Sequence, residues 1–221
     1  MKRGMVRAPG PSFRLGDWGA PRLAFTLIEM LVVLAIILVL STMLFPVFEA
    51  AMGTAEGASC LSNMRNLGLA ARMYADDCDG RIVPAMLPDP VHARVCWDVM
   101  LQAYLNNRGI LICPTDECPR QLPGALCAPH SYGINLELAE VGGYMASSLS
   151  MDEIADPVMT VVFCELAGER ACTHGVNYDA TGLTRVATSR HGLGSYYTFA
   201  DGHAKWLRPE ATEQPELLWD P

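Results

Sequence analysis

One carboxylate interrupts the most apolar stretch of this chain. Between Phe25 and Phe48 the only charged residue is Glu29, and Glu49 closes the run. A carboxylate in lipid is costly without a partner, so an ionisable residue there marks a working position. Three further groups could do chemistry. Asp76-Asp77-Cys78-Asp79-Gly80 sets three carboxylates before a glycine, and calcium, a hard cation, takes oxygen ligands from such a turn. The full EF-hand spacing and its terminal glutamate are absent, and the simpler reading is a helix C-terminal turn with Gly80 in the left-handed conformation. Cys113-x4-Cys118-x8-Cys127-x2-His130 offers a Cys3His donor set that could ligate zinc, although its first spacing is loose and its halves are proline-rich. Near the C-terminus, His191, Asp201 and His203 could hold a metal; alternatively Asp201-Gly202 is a hairpin turn and His191 bonds a neighbouring loop.

The elements that must position these groups begin with the apolar run itself. As a helix, residues 25–48 rise roughly 36 Å at about 1.5 Å per residue, enough to cross a hydrocarbon core of about 30 Å. Pro46 is expected to kink or locally open that helix, because it removes a hydrogen bond and crowds the preceding turn. Gly53 and Gly57 weaken it further. An amphipathic pattern then resumes, with Leu61, Met64, Leu67, Ala71 and Tyr74 at spacings of three and four. The expectation is one long helix over about 25–75 whose second half packs on a sheet.

Prolines 84, 88, 90, 114, 119, 123, 129 and 157 rule out long helices through most of 81–160. A short helix is expected at 96–105, with Trp97, Leu101 and Leu105 on one face. Residues 159–165 read as a buried strand. Ser195–Ala200 and His203–Leu207 flank Asp201-Gly202, the pattern of a hairpin with a two-residue type I′ turn.

Charge divides the chain. The formal net charge is -8, but residues 1–24 hold five basic residues (Lys2, Arg3, Arg7, Arg14, Arg22) against Asp17. That leaves 11 of the 16 basic and 23 of the 24 acidic residues after the leader. A basic flank before a span and an acidic body after it orient the leader to the cytoplasm and export the body. An acidic body without a basic patch also argues against nucleic acid as a partner. All eight cysteines (60, 78, 96, 113, 118, 127, 164, 172) lie in the exported part, where oxidising conditions favour disulfides of undetermined pairing. The leader is rich in glycine and proline and is not expected to fold. An ordinary secretory signal cut near Ala50, Ala51 or Ala55 would have an unusually long apolar core and would give Glu29 no role. No nucleophile elbow and no phosphate-binding glycine loop is present, so no enzyme activity is expected.

Ala24-Phe25-Thr-Leu-Ile-Glu29 behind a short basic leader resembles the processing site of type IV prepilins and type II secretion pseudopilins. The resemblance implies cleavage between Ala24 and Phe25 by a prepilin peptidase and methylation of the new amine. It also implies pairing of Glu29 with the amine of a neighbouring subunit during assembly. The family usually has glycine before the cut, where this chain has Ala24; a proline near position 46 is common to it. The C-terminal half is similar to a pseudopilin-like family abundant in Planctomycetes. It shares Arg190, His191, Gly194, Phe199, Asp201, Gly202, His203 and Trp206, besides residues 60–70, Asp79-Gly80, Cys113-Pro114 and 131–135. Related pseudopilins bind calcium in a C-terminal loop, a role this resemblance would give Asp201.

These readings together predict an α+β, pilin-like protein: leader 1–24, a transmembrane and assembly helix over 25–48, and an exported domain over 49–221 that sets a long helix on a small antiparallel sheet. The expected role is a structural subunit of a type II secretion pseudopilus or a type IV pilus-like filament. Its partners are a prepilin peptidase, other subunits and the inner membrane. No cofactor is required, and calcium is the cation that Asp76, Asp77 and Asp79, or Asp201 with its histidines, would take. The competing expectation is an anchored calcium- or carbohydrate-binding module that uses the N-terminus only as an anchor; a second competitor is an exported metalloenzyme using His191, Asp201 and His203.

Overall fold

The structure, a computed structural model, describes residues 25–117, 126–140, 148–167, 175–176, 178–179, 182–183, 186–187, 189–211 and 219. The leader with Ala24, and Cys118 and Cys172, lie outside the described residues. The chain divides into two compact units, one up to Val47 and one from Phe48 onward.

Helix α1 (Leu27–Asp77) runs through both units and continues unbroken past Pro46. Up to Val47 its aliphatic side chains are exposed on every side, with Leu27 84% and Leu44 71% exposed. An apolar helix with no polar face belongs in lipid or among other helices rather than in water, and this one is long and apolar enough to cross a membrane. Its second half is amphipathic and buries Gly57, Cys60, Met64, Leu67, Gly68, Ala70, Ala71 and Ala75. The expected face is thus present: Met64, Leu67 and Ala71 are buried, joined by Cys60 and small residues, while Leu61 and Tyr74 sit at its margin. The helix ends in a left-handed cap. Asp79 has φ 53° and Gly80 φ 75°, and the Gly80 N–H donates to the Ala75 carbonyl at 2.9 Å, the wrap of a Schellman turn. Asp77 accepts from the Tyr104 hydroxyl at 2.9 Å.

A five-stranded sheet receives that buried face. It contains β3 (Tyr132–Asn135), β4 (Val161–Glu165), β5 (Gly175–Val176), β8 (Ser195–Phe199) and β9 (Ala204–Leu207) in the order β5-β3-β4-β8-β9. All neighbours are antiparallel except β3 and β5, which are parallel. Every residue of β4 is buried, as a central strand requires. Its register slips between Val161 and Phe163, and the adjacent Val162 and Phe163 both join the core shared with α1. That core also takes Met64, Leu67, Trp97, Leu101, Tyr132 and Ile134. A second cluster gathers Val161, Cys164, Tyr197, Phe199 and Trp219.

The helix comes unusually close to the β8–β9 hairpin. A Cβ on Gly68 would lie 2.6 Å from Thr198 Cγ2 and 2.9 Å from the Gly202 carbonyl oxygen. The Thr198 hydroxyl donates to the Met64 carbonyl at 2.9 Å, so backbone contacts backbone where only glycine leaves room. The turn of this hairpin differs from expectation. Phe199 N–H donates to the His203 carbonyl at 2.9 Å, leaving the three residues Ala200-Asp201-Gly202 in the loop. Gly202 has φ 91° while Asp201 is not left-handed. This is a three-residue connection closed by a left-handed glycine rather than a type I′ turn, which needs both central residues left-handed.

The proline-rich middle forms small pieces. Strands β1 (Met86–Asp89) and β2 (Ala93–Cys96) make a hairpin, and β6 (Tyr178–Asp179) pairs with β7 (Gly182–Leu183). The helix expected over 96–105 is one α-turn, α2 (Trp97–Met100), tightening into a 3-10 turn at Leu101–Ala103; Trp97 and Leu101 are fully buried as expected. One further turn, α3 (Leu136–Ala139), follows β3. Cys96 and Cys127 form a disulfide with Cα atoms 5.2 Å apart. Cys60, Cys78, Cys113 and Cys164 are free thiols.

Candidate functional sites

The first site is the start of α1. The Thr26 N–H and hydroxyl both donate to Glu29 Oε2, at 2.8 and 2.7 Å. The Glu29 N–H in turn donates to Thr26 Oγ1 at 3.3 Å. This is a capping box, in which the two side chains satisfy donors that the first helical turn leaves open. Its signal is in the sequence as Thr-x-x-Glu, so a local partner for Glu29 is legible there beside the neighbouring amine that the resemblance implies. The carboxylate also sits in the first turn, where the helix dipole favours negative charge.

The second site is buried between α1 and the sheet. Cys60, Cys113, Glu165 and His191 converge so that one donor atom from each lies within 4.8 Å of the others. Four separate segments deliver them. Cys60 projects from the packed face of α1, and Cys113 follows the 3-10 turn Arg108–Leu111. Glu165 closes β4, and His191 lies in the turn before β8, where Gly192 has φ 75°. Cys60 Sγ is 3.1 Å from Glu165 Oε1. His191 Nε2 lies 3.1 Å from the same oxygen and 3.3 Å from Cys113 Sγ.

The surroundings fix each group. Glu165 is fully buried, and its other oxygen accepts from the Tyr196 N–H at 2.9 Å. Cys113 N–H donates to Ser131 Oγ at 3.0 Å, and its sulfur lies 3.1 Å from Thr115 Oγ1. Tyr132 Oη is 3.3 Å from Cys60 Sγ. Arg190 stands behind the cluster, 4.0 Å from Glu165 Oε1 and 3.3 Å from Asp116 Oδ1; it also donates to the carbonyls of Ser131 and Leu166.

These contacts separate the protonation states. The hydrogen bond from Cys60 holds the Cys113 thiol down at about 5 against the opposing effect of burial, and His191 and Thr115 lower it further. The same bond, burial and the Glu165 charge push Cys60 well up. Burial opposes ionisation of both Glu165 and His191, yet their mutual contact wins. It keeps the Glu165 carboxyl below its ordinary range, and with Cys113 it raises His191 to about 9. In a nucleophile–base–acid relay the orienting acid grips the imidazole nitrogen opposite the nucleophile. Here thiol and carboxylate meet the same nitrogen, so the arrangement is not that relay.

The metal sets read from the sequence regroup. Cys127 pairs with Cys96, and Cys113 faces Cys60, so the Cys3His grouping of Cys113, Cys118, Cys127 and His130 does not form among the described residues. His191 separates from Asp201 and His203, which pair with each other at 2.6 Å, while the His203 ring stacks on Phe199. Asp76 and Asp77 are the last two residues of α1, and Asp79 lies in the left-handed turn that follows. Cys60 and Glu165 had no sequence signal as partners of His191. The C-terminal motif residues instead build the local frame. Trp206 Nε1 donates to the His191 carbonyl at 3.2 Å, and a Cβ on Gly194 would collide with the Leu207 carbonyl oxygen and the Trp206 ring.

No curated protein and no solved structure matches the chain. Residues 21–45 match the family model described as the prokaryotic N-terminal methylation motif. The chain therefore carries a prepilin-type methylation motif on an apolar, membrane-capable helix and an α+β pilin-like layout, which implies processing by a prepilin peptidase, single-pass anchoring and pilin-type assembly.

Proposed function

We propose that the protein is a structural subunit of a type II secretion pseudopilus or type IV pilus-like filament, not an enzyme. The observation that carries this is the methylation motif at residues 21–45 followed by a helix that exposes apolar side chains on all sides up to Val47. Before assembly the subunit waits in the inner membrane with its leader in the cytoplasm and its folded domain outside. Cleavage between Ala24 and Phe25 creates an amine at the start of the apolar helix. The Glu29 carboxylate of one subunit neutralises the Phe25 amine of the next, and the pair offsets the penalty of burying either charge alone. The capping box supports this by holding Glu29 Oε2 on its own helix, in a fixed orientation, before the neighbour arrives.

Replacing Glu29 by valine tests the role. Insertion and cleavage of Glu29→Val continue, since the span becomes more apolar, while its incorporation into filaments falls sharply. Cleaved Glu29→Val subunits entering filaments at the wild-type level would refute it.

A further inference from the structure

We propose that Cys60, Cys113, Glu165 and His191 form a structural zinc site that ties the packed half of α1 to the sheet. This inference stands independently of the filament role.

The geometry argues for one shared ion. His191 Nε2 carries a single hydrogen or a single lone pair, yet both a sulfur and a carboxylate oxygen converge on it. Glu165 Oε1 in turn faces both Cys60 and His191, which ties all four groups together. All four donor atoms lie within 4.8 Å of one another, the grouping that ligands of one shared ion adopt. A tetrahedral zinc with about 2.3 Å to sulfur and about 2.0–2.2 Å to nitrogen and oxygen separates its ligands by roughly 3.4–3.8 Å. The observed contacts of 3.1 and 3.3 Å need to widen by only a few tenths of an ångström.

The donor chemistry selects the metal. Two thiolates and an imidazole favour zinc over calcium or magnesium, which take oxygen. Four protein ligands close the coordination shell, the mark of a structural rather than a catalytic zinc. Two thiolates and a carboxylate leave the zinc complex one negative charge in excess, and Arg190, shared between Glu165 at 4.0 Å and Asp116 at 3.3 Å, places positive charge beside it. The Tyr196 N–H on Glu165 Oε2 and the Ser131 hydroxyl on the Cys113 N–H hold the ligands in place. Of the four ligands His191 lies nearest the surface, lining a groove of about 440 Å³ with Gly53, Gly57, Thr115, Arg190 and Tyr196.

The test uses the untagged full chain, extracted in detergent without chelator. Elemental analysis is expected to find one zinc per chain. Cobalt loaded in its place is expected to give the intense visible bands of tetrahedral coordination with sulfur-to-cobalt charge transfer. Cysteine alkylation mapped by peptide mass spectrometry is expected to modify Cys78 throughout, but Cys60 and Cys113 only after phenanthroline removes the metal. Folded Cys113→Ser and His191→Ala variants lose the zinc, whereas Cys78→Ser keeps it. Metal-free wild-type protein, a Cys60–Cys113 disulfide, an octahedral cobalt spectrum, or zinc retained in folded Cys113→Ser and His191→Ala would each overturn the proposal.

Discussion

Replacing Gly68 by alanine should destabilise the folded domain although alanine is the better helix former. The new Cβ would stand 2.6 Å from Thr198 Cγ2 and 2.9 Å from the Gly202 carbonyl oxygen, against about 3.5–4.0 Å for an ordinary carbon contact. Thr198 can turn its methyl away only by giving up its hydrogen bond to the Met64 carbonyl, worth about 0.5–1.5 kcal/mol. The Gly202 carbonyl is backbone in a turn held at φ 91° and cannot swing aside. Overpacking of this kind costs about 1–3 kcal/mol, and lost hydrogen bonding adds to it, while helix propensity returns about 1 kcal/mol. The net loss is about 1–3 kcal/mol, or a fall in Tm of roughly 2–12 °C for a domain of this size. Gly53→Ala is the control. Nothing lies within 4 Å of its new Cβ, so propensity acts alone and Tm should rise by roughly 2–4 °C. Thermal unfolding of the detergent-solubilised variants, followed by circular dichroism, decides the matter. Equal or higher Tm for Gly68→Ala would refute the close approach of helix and hairpin.

Two other perturbations test separate parts of the fold. The Cys96–Cys127 bond closes a loop with a sequence separation of 31, so removing it in a Cys96→Ala, Cys127→Ala double variant should cost about 3–4 kcal/mol; an unchanged Tm would mean that the bond is absent from the native protein. Asp79 adopts φ 53° at the end of α1, so Asp79→Gly should be neutral or stabilising by up to about 1 kcal/mol while Asp79→Val is destabilising; chemical denaturation showing the reverse order would contradict the cap.

Much of this architecture is legible in the sequence because its causes are local. The apolar run, the return of a three-and-four spacing after Cys60, and the run at 159–165 each report a helix or strand directly, the last as the strand Val161–Glu165. Asp79-Gly80 marks a helix stop and Asp201-Gly202 a hairpin, although the register of the second turn depends on how β8 and β9 pair. Thr26-x-x-Glu29 is equally local, and a capping box follows from it. The buried cluster is different in kind. Cys60 and Glu165 are 105 residues apart and Cys113 and His191 are 78 apart, so only the packing of α1 on the sheet brings them together. Glu165 reads from sequence as the polar end of an apolar strand; its burial comes from the Tyr196 N–H, His191 and Arg190, which long-range topology supplies. The spacing of Cys113, Cys118, Cys127 and His130 suggested a neighbouring zinc set, but Cys127 turns to Cys96 instead.

Mass spectrometry of the mature N-terminus, on protein taken from native membranes, tests the central claim most directly. A chain that begins at N-methyl-Phe25 is the predicted result. A start near residues 50–56 would mean ordinary secretion with no role for Glu29, and an intact Met1 would mean a static anchor; either contradicts the account.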